Sequence, residues 1–245
     1  MTLVVALACK DGVVLASESQ ATFSIAPNVY ARREAIKIKP LGNDKLWGAS
    51  GAEALVQKVE QDFSILEELH VNFSFSDTSA LTAFRDTHTQ IAGDAIRRHS
   101  QTLGQLNAPP PTVSLIIVGY ENSQPKIWLI AENSIDMFCE QQGCQAIGGG
   151  IAFAVPMLGQ YTFSEYGIEA GSLIAYKVLT ESIAVSAFGI GGPINIWTIN
   201  ENGPHQLNES ELDRLAGAYE WWTRTAEEDF KIKVVKRLKS FSAAQ

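Results

Sequence analysis

Residues 2–19 read TLVVALACKDGVVLASES. Two apolar, valine-rich runs of strand length, Leu3 to Ala8 and Val13 to Ala16, flank Lys10-Asp11-Gly12, which reads as a tight turn with glycine where a positive φ is expected. The pattern predicts two buried antiparallel strands joined as a hairpin, which returns Glu18 to the neighbourhood of Thr2. Thr2 stands directly behind Met1. A threonine with a free α-amine carries nucleophile and base on one residue. Its hydroxyl attacks a carbonyl while the amine, with an unperturbed pKa of about 8, takes the proton. With Met1 attached, the same nitrogen is an amide and has no basicity. A small second residue is common after methionine, so Thr2 alone says little, and Glu18 alone reads as an ordinary strand-end carboxylate.

Lys37 is the third piece. In Ala35-Ile36-Lys37-Ile38-Lys39-Pro40 a period of two puts Lys37 and Lys39 on one face and Ile36 and Ile38 on the other, with Pro40 closing the strand. A lone strand lysine is ordinarily a solvated charge. Close to Thr2, however, its ammonium would lower the pKa of the terminal amine and keep it neutral near pH 7. Glu18 could orient that ammonium through a charged hydrogen bond.

Thr2, Lys10-Asp11-Gly12, Glu18, Thr22, Lys37-Ile38 and Gly48-Ala49-Ser50-Gly51, in that order, make the chain resemble a proteasome β-type subunit, a branch of the N-terminal nucleophile hydrolases. The resemblance is strong over residues 2–69. It continues more weakly through Gly148-Gly149-Gly150 and Gly191-Gly192 to about residue 199, leaving the last forty or so residues unmatched. It implies an α+β fold, a four-layer αββα sandwich of two antiparallel sheets flanked by helices. It further implies Thr2, Glu18 and Lys37 as catalytic residues, Lys39 being the matched lysine only if the register slips by two. The backbone N–H of Gly48 would form the oxyanion hole beyond a Gly-x-x-Gly loop that opens a helix. Thr22 and Ser50 would hold a peptide substrate as an added strand, and Leu46 with the side chains around Tyr30 to Ala35 would line a specificity pocket.

The sequence also departs from the family pattern. Where active members carry a serine in a Gly-Ser-Gly loop and an Asp-x-x-Ser pair before Gly-Gly, this chain has Gly149, Ala187 and Ile190. Ser182, Ser186 or a water would have to replace those hydroxyls. Two readings follow: a threonine-type peptidase acting on peptide or unfolded protein after Met1 removal, or a catalytically silent ring scaffold. A small-molecule amidase shares the first chemical step. Removal of Met1 is the maturation expected. The resemblance also implies a homo-oligomeric ring and allows an ATP-dependent unfoldase as partner.

Composition bounds the rest. The chain has 245 residues and a formal net charge of −8, which argues against nucleic acid and anionic membranes as partners. No apolar stretch approaches a membrane span and no signal-peptide pattern opens the chain, so a cytoplasmic location is expected. Cys9, Cys139 and Cys144 are too few for a disulfide framework and read as buried free thiols, although Cys139 and Cys144 could face each other across a turn. The histidines show no ligand spacing, so neither metal nor cofactor is expected.

Without a linker signal, one domain over 1–245 is expected, with 208–245 as a C-terminal helical extension. Leu55, Val59, Phe63 and Leu66 form one face of a helix over 52–69. A second helix, capped at Ser76 or Asp77, carries Leu81, Phe84, Ile91, Ala95 and Ile96. Four strands are expected before these helices. Strands follow at 112–120, 126–131, 135–139 and 194–199, with helices at 151–165, 173–186 and 208–235. Trp221 and Trp222, a hundred degrees apart on the last helix, cannot both face one core, so one is expected to meet another subunit.

Overall fold

The computed structural model describes residues 2–26, 29–69, 73–102, 109–133, 135–185 and 189–235. Strands β1 (Val4–Cys9) and β2 (Gly12–Glu18) are buried at every position and pair antiparallel from Val4 opposite Ser17 to Cys9 opposite Gly12. Burial on both faces explains their continuous rather than alternating apolar sequence. β10 (Cys144–Ile147) joins on the β1 side, while β11 (Ile194–Asn200) and β12 (Gly203–Gln206) extend the sheet beyond β2. The second five-stranded sheet runs β5 (Ile38–Leu41), β6 (Lys45–Gly51), β7 (Val113–Glu121), β8 (Gln124–Ile130) and β9 (Asp136–Phe138). Every pairing in both sheets is antiparallel.

The sheets face each other across a core in which Val4, Ala6 and Leu15 meet Leu46, Ile116 and Val118. Helices α1 (Glu53–Glu68) and α2 (Thr78–Thr102) cover the second sheet, with Phe63 and Phe84 packed against Trp47, Leu115 and Trp128. Helices α3 (Ile151–Leu158) and α4 (Ile168–Val185) lie on the first sheet, α3 against β10 and α4 against β1, β2 and β11. The result is the αββα sandwich. Asp11, in the β1–β2 turn, accepts a hydrogen bond from the Ile168 N–H at 2.8 Å, so the turn that joins the first two strands also caps α4.

Several expectations change. Six strands, not four, precede α1, because β3 (Gln20–Ala26) and β4 (Val29–Glu34) form a separate two-stranded sheet. β3 alternates Ala21, Phe23 and Ile25 with polar neighbours, whereas β4 ends in the charged run Arg32-Arg33-Glu34 and carries no such alternation. The Gly48 to Gly51 segment is the end of β6 rather than a loop. Pro40 lies inside β5, which the fold tolerates because β5 is an edge strand. The helix expected over 151–165 stops at Leu158, and only a 3-10 turn, Phe163–Glu165, follows. Asp77 rather than Ser76 bonds the start of α2, accepting from the Ser79 N–H at 2.8 Å.

The chain divides into two compact units, 1–206 and 207–245. In the second, α5 (Glu209–Asp229) begins at a capping box in which Asn208 and Glu211 bond each other's backbone N–H, and residues 230–235 continue as a π-helical turn. Trp221 is exposed and Trp222 half-buried. The cysteines are free. Cys144 is half-buried, whereas burial and, secondarily, Asp11 push the buried Cys9 thiol up to about 12. Among the described residues no helix is long and apolar enough to cross a membrane, and no group of three or more His, Cys, Asp or Glu is placed to hold a metal ion.

Candidate active site

Thr2 lies immediately before β1, and its surroundings are fixed by backbone contacts from both sides. The Thr2 carbonyl accepts the Gly150 N–H at 3.3 Å, and the Glu18 N–H bonds the Leu3 carbonyl at 3.4 Å. Gly148 has φ +101°, and a Cβ there would lie 2.1 Å from the Thr2 carbonyl oxygen. Only glycine satisfies both the left-handed backbone and that approach.

Glu18 closes β2 and is fully buried. Its Oε1 accepts the Leu3 N–H at 3.1 Å, and its Oε2 accepts Gln20 N–H at 2.8 Å and Gly191 N–H at 3.2 Å. Lys37 Nζ completes the set by bonding Oε1 and donating to the Gln20 carbonyl at 2.7 Å. A carboxylate removed from water requires such compensation. The Lys37 side chain is 7% exposed. Burial pushes its ammonium below the ordinary lysine range, and Glu18, by charge and hydrogen bond, opposes that shift. Because Lys37 Nζ and the Leu3 N–H share one carboxylate oxygen, the ammonium stands at the start of the polypeptide and not in bulk solvent.

Lys37 and Lys39 both line the cleft described below but take different partners. Residues 35–37 precede the strand, so the alternation begins only at Ile38. Lys37 turns to Glu18, whereas Lys39 pairs with Glu60 of α1 and lies 5.6 Å from the centre of the Trp47 ring. Glu18 and Lys37 are therefore brought together beside Thr2, and Lys39 is not part of that cluster.

Thr2, Lys37 and Ser50 line a cleft of about 730 Å³, shared with Ala35, Ala49 and Trp197. Ser50 is buried, and its Cβ approaches within 3.3 Å of where a Gly148 side chain would begin. Gly48 sits in β6 between Ile38 and Ile116, and a Cβ there would lie 2.8 Å from a methyl of Val4. Leu46 corrects an expectation: it is fully buried in the core between the sheets and does not line the cleft. The two-residue period of β6 sends Leu46 into the inter-sheet layer while Trp47 and Ala49 face the cleft and α1. Arg33, Glu34 and Ala35 line the cleft as expected of the Tyr30 to Ala35 stretch, of which the side chains of Tyr30 and Ala31 are not described. The backbone of Thr22 pairs with Arg32 in β3–β4.

Among the departures, Gly149 is exposed at the loop before α3, whereas Ile190 is buried, with its Cδ1 2.7 Å from where a Gly150 Cβ would begin. Ser182 is fully buried in α4, and its hydroxyl has no hydrogen-bond partner among the described residues. Ala187 and Ser186 lie outside the described residues. Sequence reasoning missed Gln20 and Gly191, which act on Glu18 and Lys37 through main-chain groups. The only signals were glycine at 191 and the position of Gln20 two residues beyond Glu18.

A family model described as "Proteasome subunit" matches residues 2–199. Among curated proteins, a proteasome subunit beta of Methanococcus vannielii is 26% identical over 215 residues, covering 87% of this chain and 90% of the relative. Proteasome subunit beta of Archaeoglobus profundus is 26% identical, with 87% and 91% covered, and that of Nanoarchaeum equitans 27%, with 84% and 97% covered.

Proposed function

This chain belongs to the proteasome subunit family, and on that premise we propose that it is a threonine-type N-terminal nucleophile peptidase, active once residue 1 is removed. Removal turns the Thr2 amide nitrogen into a primary amine. The Thr2 hydroxyl then attacks a peptide carbonyl, the amine takes its proton, and that proton passes to the leaving nitrogen. An ester to Thr2 forms, and water releases it. Lys37, held by Glu18, disfavours the protonated form of the amine and keeps it a base near neutral pH. Gly48, expected to donate its N–H to the oxyanion, is instead enclosed between β5 and β7 and does not line the cleft, so the step does not draw on it. An extended segment of peptide or unfolded protein pairs with the backbone around Ser50 and Thr22.

The observation that carries this reading is the buried Glu18–Lys37 pair, tied through Glu18 to the N–H of Leu3 and opening with Thr2 onto a cleft. Burying two charges is weak support for stability alone, so its position at the start of β1 is better explained by chemistry. The relatives are named as subunits, which supports assembly; the proposed assembly is a cytoplasmic homo-oligomeric ring to which an ATP-dependent unfoldase could dock.

Treatment with a peptide epoxyketone, followed by mass mapping, tests the proposal. An adduct on Thr2 in chain lacking residue 1 is expected. Processed Thr2 that forms no adduct would favour the silent ring scaffold, a reading that the exposed Gly149 and the apolar, buried Ile190 support. Labelling without peptide cleavage would favour the small-molecule amidase.

A further inference from the structure

We propose that the cleft beside Thr2 selects extended peptides bearing basic side chains, arginine or lysine; this rests on the peptidase reading above and assigns its substrate class. Three features of the lining point this way. First, Glu18 neutralises the Lys37 ammonium. The other charged groups lining the cleft, among the described residues, are then Glu34, Glu53, Glu60 and Glu67 against Arg33 and Lys39.

Second, the α1 glutamates recur every seven residues. Two helical turns separate successive members by about 10.5 Å, so Glu53, Glu60 and Glu67 form a row about 21 Å long on the cleft-facing stripe. An extended peptide of about six residues spans that length. Val56, half-buried on the same stripe, offers apolar surface to the methylene stems that arginine and lysine carry behind their charge.

Third, three of the carboxylates are accessible, whereas Glu67 is half-buried and accepts the Gly42 N–H. Glu53 pairs with Arg33 at side-chain exposures of 38% and 57%, and Glu60 pairs with Lys39 at 45% and 21%. Solvated pairs of this kind are held weakly and exchange partners readily. Glu34 is exposed and has no ion-pair partner among the described residues. An incoming guanidinium therefore meets a free carboxylate and can take over Glu53 in a forked, charge-assisted contact. An incoming carboxylate meets the opposite field.

The test uses the full chain and three fluorescein-labelled peptide amides of one extended frame, differing only in a central Arg, Leu or Glu. Binding is read by anisotropy, and cleavage by matching coumarin peptides. The arginine peptide is expected to bind about tenfold more tightly than the glutamate peptide at low salt, with the gap closing at high salt. Glu34→Gln and Glu53→Gln should each lower the Arg-to-Leu binding ratio by roughly threefold. Equal binding of all three peptides, a preference for Glu, or Gln variants that weaken every peptide alike would overturn the inference. Arg-selective binding without cleavage or a Thr2 adduct keeps the charge selectivity and removes the peptidase reading. Cleavage without charge preference does the reverse.

Discussion

At Glu18 one carboxylate collects three backbone N–H groups and an ammonium, so each partner's removal has a separate signature. Lys37→Ala leaves Glu18 buried and short of its cation. It is expected to cost about 3–5 kcal/mol, read as a fall in urea midpoint, and to abolish Thr2 labelling. The double variant Glu18→Gln/Lys37→Met removes both charges, so it should recover most of that stability and none of the labelling. That split separates chemistry from packing. Gly148→Ala forces a Cβ to within 2.1 Å of the Thr2 carbonyl at a φ of +101°. A loss of about 2 kcal/mol or more and displacement of residues 2–3 are expected, visible as faster amide exchange at Leu3.

Among the elements, helix ends and one buried histidine set the measurable quantities. Asp11→Ala removes the side-chain acceptor for the first N–H of α4, and about 1 kcal/mol should be lost. His88 of α2 is fully buried, and its Nε2 donates to the Val113 carbonyl at 2.9 Å, which fixes the neutral tautomer. Burial lowers its pKa below the ordinary 6.5, and the Val113 hydrogen bond partly opposes that shift. Between the lowered folded value and 6.5 the unfolded chain binds the extra proton. The stability contributed by a neutral His88 is therefore intact above pH 6.5 and lost as pH falls through that window. Urea midpoints measured from pH 7 to pH 5 should decline, and His88→Gln should flatten that decline.

The same scale shows what the sequence discloses. β1 and β2 are legible because burial on both faces writes an unbroken apolar run, and α1 because Val59 and Phe63 repeat at helical spacing on its covered face. The β3–β4 pair is less legible, because β3 alternates over only Ala21 to Ile25 and β4 ends in Arg32-Arg33-Glu34. The site is legible where side chains do the work, at Thr2, Glu18 and Lys37. It is hidden where the main chain does, because any residue supplies the Gln20 carbonyl or the Gly191 N–H. The different partners of Lys37 and Lys39 are also concealed, since residues 35–37 precede the strand that starts at Ile38.

For the whole molecule, the sandwich turns local order into a site. The hairpin brings Glu18 back to Leu3, the second sheet carries Ser50 to Gly148, and the approach to β5 delivers Lys37 to Glu18. No one element holds the cluster. The account's central claim is that this convergence arms the amino group of Thr2. Its most direct measurement is intact-mass and peptide mapping of untagged protein from its own host, before and after epoxyketone treatment. Loss of residue 1 and one adduct that joins the inhibitor to both the amine and the hydroxyl of Thr2 are predicted. A chain that keeps Met1, or a freed Thr2 that stays unmodified beside an intact Glu18–Lys37 pair, would contradict it.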